Sequence, residues 1–272
     1  NNSLFPKEEI EKERGVIIEE IRMYEDIPMR KVSQEYMTDI FGNHPLGIDI
    51  AGSVESVSKL SREDIIDFTE KYYTGENMLV VSAGGVDDKE SEKIIRDAFG
   101  SIEKGNPTKV VSFDDKDKTF GINFIQKSLE QTHLVLGGFG IKRASKERFA
   151  LNLGLTILGK GVGSLLFQEI REKNALAYYV GIDHNGFEEI GAWDISMGVD
   201  NKRVKLALEA VLNVLKDFKT GKNFSDTDFD RAKNYLIGNL VTDLETSDDL
   251  AFWYGSQELL NNEVLKVDEV KK

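Results

Sequence analysis

FPKEEIEKERGVIIEEIRMYED, residues 5–26, is the stretch on which the reading of this chain turns, because it recurs. Residues 224–245, FSDTDFDRAKNYLIGNLVTDLE, can be laid on it without a gap. Phe224 falls on Phe5, Phe229 on Ile10, Leu236 on Ile17, Ile237 on Ile18 and Leu240 on Ile21. Asp228 and Asp230 fall on Glu9 and Glu11, and Arg231 on Lys12. At 100° per residue the first copy carries an apolar stripe of Ile10, Ile17, Ile21 and Tyr24, the pattern of an amphipathic helix. Two such helices far apart in the chain read as one internal duplication at long period, not as a solenoid.

The copies differ where Glu13 meets Ala232 and Glu20 meets Asn239. Glu8, Glu11 and Glu19 lie opposite the stripe, on a solvated face. Glu13 and Glu20 point almost the same way, within the sector that the stripe would bury. One reading is an acidic helix flank whose carboxylates reach water. The other is a pair of buried carboxylates, which would need a proton, a basic partner or a cation to neutralise them. Arg14 and Arg22 lie on other faces. Two carboxylates a helical repeat apart could serve one metal, one as ligand and one behind it. The second copy keeps the stripe without either acid, so packing does not require them.

The bulk numbers exclude several classes. At 272 residues the chain is long enough for one large domain or two ordinary ones. A net charge of −13 lacks the basic face that a phosphate backbone or an anionic membrane would select, so neither nucleic acid nor a membrane is an expected partner. No apolar run approaches the roughly eighteen residues of a membrane span, and no signal-peptide layout opens the chain. The absence of cysteine removes disulfides and thiolate metal sites and is compatible with a reducing compartment; a cytoplasmic location is the expectation. The first residue is Asn1 and a strong helix follows within a few residues, from which residues missing upstream are expected.

Along the chain, Pro6 opens the first helix and Pro28 interrupts it before MRKVSQEYMTDIF (29–41) resumes the pattern. SREDIIDFTEKYY (61–73) begins with a capping box, Ser61 to Asp64. NMLVVSAGGV (77–86) reads as a buried strand, and KESEKIIRDAFG (89–100) as a helix. SIEKGNPTKVVSFDDKDK (101–118) is polar, carries Gly and Pro, and looks like a linker. TFGINFIQ (119–126) and THLVLGGFG (132–140) read as paired strands. Helices follow at 147–159, 165–174, 204–221 and from Ser225 onward, with antiparallel strands in ALAYYVGIDHNG and AWDISMGVD. Runs of strands and runs of helices, without strict alternation, define an α+β architecture.

Three further features carry candidate chemistry. In REKNALAYY (171–179), Arg171 ends a helix and Tyr178 opens a strand, so the two could face one cleft. The plainer reading is an Arg at a helix C-terminus, favoured by the dipole, followed by a core aromatic. LGKGVGSLLF (158–167) lacks the layout of a phosphate loop and reads as an elbow between helices. His44, His133 and His184 are scattered, in no ligand spacing, and read as structural.

Together, ERGVIIEEI, the run FGNHPLGIDIAGSVESVSKLSREDIIDFTEKYYTGENMLVVSAGGVD (41–87), EQTHLVLGGFG and LLFQEIREKNALAYYV resemble the pitrilysin/insulinase-type zinc metallopeptidases, in the bacterial and mitochondrial-processing-peptidase-like branch. The resemblance covers essentially the whole chain. It implies two homologous α/β-roll halves with mostly antiparallel sheets and packed helices, joined as a clamshell: residues 1–104 as the end of a first, metal-bearing half, 105–118 as linker, and 119–272 as a second half without metal. It implies a zinc-dependent metalloendopeptidase acting on short or unfolded peptides through metal-activated water. By motif match, Glu20 is a zinc ligand, Glu13 its acidic, catalytic neighbour, and Arg171 and Tyr178 bind the peptide substrate near the scissile carbonyl. The family's HxxEH motif occurs nowhere in these 272 residues, so the remaining ligands, and the one zinc ion of an intact chain, are expected to depend on residues upstream. The rival is a non-catalytic partner or scaffold subunit of the same fold. The branch also implies a homodimer or heterodimer.

Overall fold

The structure, a computed structural model, describes residues 3–261 and 263–271. Helix α1 runs Lys7–Asp26 and α2 runs Pro28–Phe41. The break between them is local chemistry: Pro28 brings no N–H and stands in the first turn of α2, where none is needed. Helices α3 (Val54–Lys59), α4 (Arg62–Tyr72) and α5 (Asp88–Phe99) follow. The expected capping box is present at α4: the Asp64 N–H donates to Ser61 Oγ at 3.1 Å, and the Ser61 N–H donates to Asp64 Oδ2 at 2.7 Å. Then come β1 (Gln131–Gly140), α6 (Arg148–Gly159), a π-helical turn (Phe167–Lys173), β2 (Ala177–Gly186) and β3 (Gly191–Asp200). Helices α7 (Val204–Lys219), α8 (Asp226–Thr242), α9 (Ser247–Asn261) and α10 (Val267–Val270) complete the order. No helix among the described residues is long and apolar enough to cross a membrane.

The chain divides into two compact units that are each discontinuous in sequence. One comprises Asn1–Met23, Ile50–Val110 and Leu240–Lys272; the other comprises Tyr24–Asp49 and Val111–Asn239. One crossing, between Val110 and Val111, falls inside the polar segment 101–118.

The first unit is helical, and arginines tie its pieces together. The Arg14 guanidinium donates to the carbonyls of Val57 and Leu60, the latter at 2.8 Å, and Arg62 donates to those of Phe5 and Leu4 at 2.8 and 2.9 Å. Among the described residues of this unit, Ile21 is the one buried apolar side chain.

Two expected strands are absent. Residues 77–86 and 119–126 form no strand, and β1 pairs with β3 instead of with 119–126. A strand exists only as one side of a ladder, and neither segment has a ladder partner among the described residues. Their alternation therefore leaves apolar side chains outside: Phe120, Ile122 and Phe124 are 79, 84 and 87 % exposed.

The second unit holds a three-stranded antiparallel sheet in the order β1-β3-β2. Gln131 stands opposite Asp200 and Gly140 opposite Gly191, while Ile182 of β2 stands opposite Ile195. Alternation sends Ile195, Met197 and Val199 of β3 to one face. There they pack with Leu155 and Leu158 of α6, Leu166 and Ile170 of the following helix, and Ala207, Val211 and Val214 of α7. Ala192 faces the other way and joins Ile40 and Phe41 of α2 with Phe113 and Ile190. Phe41 meets the rings of Phe113, Phe139 and Phe187 edge-on, with centroids 5.2 to 5.9 Å apart.

Candidate functional site

The site is built where helix turns into strand after Ile170. Leu166 and Ile170 are fully buried and anchor the helix on the sheet, which leaves Arg171 on the outer side. This last stretch is wound as a π-helix, a form that recurs at functional sites because its wider turn re-aims side chains. Ala175 follows with φ 46°, a left-handed conformation that strains any residue with a Cβ. Leu176 and Ala177 then dive into the core, the Leu176 N–H donating to Ile170 O at 2.8 Å.

Tyr178 is the extra residue of a β-bulge: Ala177 stands opposite Val199 and Tyr179 opposite Gly198, leaving Tyr178 without a partner. A bulge turns a side chain away from the regular alternation. Tyr178 is accordingly 73 % exposed, which excludes the core aromatic of the plainer reading. Its ring lies 5.8 Å from the Arg171 guanidinium carbon, which is also 5.1 Å from the Phe167 ring. The two residues matched from sequence are thus brought together. An open cleft of about 430 Å³ runs between them, lined also by Gln131, Glu172, Ala175, Leu176, Ala177, Gly198 and Asp200.

The cleft floor is stiff. Tyr179 crosses β3 at Gly198, where a Cβ would stand 2.5 Å from its ring, so only glycine admits it. The Tyr179 hydroxyl meets His133 Nδ1 at 2.9 Å, and burial raises the pKa of this phenol while it lowers that of the imidazole. Glu169, on the same helix, is held by Lys173 at 2.9 Å, whose hydrogen bond keeps its carboxyl below the ordinary range. Among the described residues Arg171 contacts the Phe167 and Tyr178 rings, and although Glu172 and Asp200 also line the cleft it forms an ion pair with neither, so its donors remain available to a ligand.

Glu13 and Glu20 do not lie buried. Both are exposed on α1, beside Val16 and Met23, which are 59 and 51 % exposed. The expectation of two acids inside a packed sector is corrected: the apolar stripe covers less than its pattern allows, and the helix buries only Ile21. Among the described residues no three His, Cys, Asp or Glu side chains come together in a way that could hold a metal ion. A catalytic zinc needs about three protein ligands, so these residues do not by themselves fit one. The histidines are occupied otherwise: His44 Nδ1 accepts from the Leu46 N–H at 3.2 Å, and His184 fills the space over Gly140 and Gly191.

Glu172, Gln131 and Asp200 were not singled out from sequence. They reach the cleft through the β1–β3 pairing and the π turn, neither of which leaves a periodic signal. Nothing in AYY announces a bulge, and an alanine does not announce a positive φ.

Residues 59–236 match the family model described as "Peptidase M16 inactive domain", and the chain belongs to the peptidase M16 family. It is 31 % identical to an uncharacterized zinc protease of Streptomyces coelicolor over 98 % of this chain and 60 % of that protein. It is 29 % identical to the uncharacterized zinc protease YmxG of Bacillus subtilis over 99 % of this chain and 65 % of that protein. The chain thus spans less than two thirds of the length of these curated relatives. Among solved structures, a peptidase M16 inactive domain from Pseudomonas fluorescens superposes with a TM-score of 0.89 at 22 % identity, over all of this chain and 67 % of that one. A protease from Helicobacter pylori gives 0.83 at 18 % identity, over 98 % of this chain and 68 % of that one. Those two likenesses establish the α+β fold.

Proposed function

We propose that this chain is the peptide-holding part of a zinc-dependent metalloendopeptidase that acts on short or unfolded peptides. The observation that carries the reading is the single cleft shared by Arg171 and Tyr178, with a bulge and a π turn aiming both outward. A guanidinium and a phenol side by side are two donors suited to a peptide carbonyl, and donors fixed before the substrate arrives are the most effective kind. The names of the relatives support the zinc, and the family's inactive-domain description fits a part that does not hold a complete catalytic centre. Glu20 would contribute one carboxylate to the metal and Glu13 an acid beside it, the other ligands lying outside the residues described.

In the zinc-loaded protein, R171A or Y178F should lower kcat/KM by about ten- to a thousandfold, the range for one lost donor of this kind, with zinc content unchanged. Full activity in either variant would remove that residue from the site. E20A should lose the metal. The second reading, a non-catalytic partner or scaffold, is favoured by the lack of a metal-holding group among the described residues. Zinc-dependent peptide hydrolysis would exclude it.

A further inference from the structure

The segment joining Arg171 to Tyr178 is held from outside. Arg203, at the start of α7, donates from Nη1 to Ala175 O at 2.7 Å and from Nη2 to Asn174 O at 2.9 Å. These carbonyls follow the end of the π-helical turn, where helical acceptors run out of partners and a positive charge is favoured. One of them belongs to Ala175, the residue with φ 46°. The planar fork of an arginine can bond two successive carbonyls at once, whereas a lysine offers a point charge.

Arg203 is itself fixed on the sheet. Its N–H donates to Asp200 O at 2.8 Å, and the Lys202 N–H donates to Asp200 Oδ1 at 2.8 Å. The neighbouring Asn201 donates to Leu129 O at 2.9 Å and accepts from Thr132 Oγ1 at 2.7 Å. The turn between β3 and α7 is therefore a rigid mount, and Asp200 within it also lines the cleft.

We propose that Arg203 is a positioning residue for peptide binding: it clamps the Asn174–Ala175 turn to the β3–α7 mount and thereby sets the separation of Arg171 and Tyr178. This rests on the assignment of those two as the peptide-holding pair. Without the clamp the left-handed alanine relaxes, the π turn and the bulge lose their common reference, and the two donors no longer meet one carbonyl. Arg203 does not line the cleft, so its effect is transmitted through backbone.

The test compares R203A, R203K and the double variant R203A/A175G with R171A and Y178F in the zinc-loaded protein. It uses steady-state hydrolysis of a fluorogenic peptide and hydrogen exchange of the amides from 174 to 178. R203A should lower kcat/KM about tenfold, because the misplaced donors of Arg171 and Tyr178 hold the carbonyl less well. Exchange at the Leu176 amide should accelerate. R203K should fall between R203A and the parent, and it carries the test if R203A does not fold. A175G should restore part of the lost kcat/KM in the R203A background, since glycine adopts a positive φ without strain. A loss of kcat/KM that follows only the fraction of folded protein, with exchange at the Leu176 amide unchanged, would overturn the proposal. Should R171A and Y178F impair turnover while R203A and R203K do not, the clamp is refuted and the site stands. Should R171A and Y178F leave turnover intact, the site assignment fails and the clamp's role with it.

Discussion

Helices α1 and α8 carry the same stripe into different surroundings. On α1, Glu13 and Glu20 stand in water and Ile21 is the buried residue. On α8 the counterpart of Glu13, Ala232, is fully buried, although the counterpart of Glu20, Asn239, is exposed. Beside Ala232, Arg231 lies over the glycine-rich elbow, where a Cβ on Gly163 would stand 2.8 Å from its Cδ. Shared periodicity states which side of a helix is able to pack; it does not state how much of that side is covered. The loss of an acid at 232 therefore needs no appeal to a metal, because a carboxylate there would be enclosed. The change at 239 has no such packing explanation.

The comparison breaks most visibly by exchange. Ala232→Glu places on α8 the residue that α1 carries, and burying an unpaired carboxylate should cost on the order of 3 kcal/mol or more, lowering Tm by roughly ten degrees for a chain of this size. Thermal unfolding measures it, and a shift below about two degrees would mean that the elbow opens easily, contrary to the packing around Ala232.

A half-buried acid in the sheet offers an intermediate case. Asp194 of β3 stands directly opposite Asp183 of β2, and burial, then the Asp183 charge, push its pKa up to about 6. Burial, with Asp194 adding to it, also raises the pKa of the Tyr36 hydroxyl, which donates to Trp193 O at 2.7 Å. A folded-state pKa above the ordinary carboxylate value of about 4 means that the folded chain keeps a proton the unfolded chain gives up. Stability therefore falls as pH rises from about 4 towards 6, and the deficit is complete above that range. Asp194→Asn should remove this dependence, raising stability at pH 8 by about 1 kcal/mol after allowance for solvent screening and leaving it unchanged at pH 4. Equal Tm shifts at both pH values would refute the titration.

The smallest effect sharpens the contrast from the other side. Glu13→Ala and Glu20→Ala remove exposed carboxylates and should change stability by less than about 0.5 kcal/mol each. A loss above about 1 kcal/mol in chemical denaturation would show that α1 uses its acids for packing after all.

Several of these features are legible in the sequence alone. The α1–α2 break at Pro28, the capping box at Ser61, and β2 and β3 are set by neighbours within a few residues, so local patterns carry them. The pairing of Arg171 with Tyr178 follows from motif resemblance, and the π turn and the bulge bring the two together. Residues 77–86 and 119–126 have the composition of strands but no partner among the described residues, because alternation specifies a face while a ladder requires a second chain segment.

By itself, then, the sequence determined the helical stripe and its duplicate, the turn and cap positions, and the family to which they belong, since each depends on residue type at a fixed spacing. Only the tertiary structure decided that Glu13 and Glu20 are exposed, that Ala232 is enclosed, that a bulge turns Tyr178 outward, and that Arg203 reaches the Asn174–Ala175 turn. The reason is physical: burial, register and long-range hydrogen bonds are properties of pairs of segments, and no single segment encodes its partner.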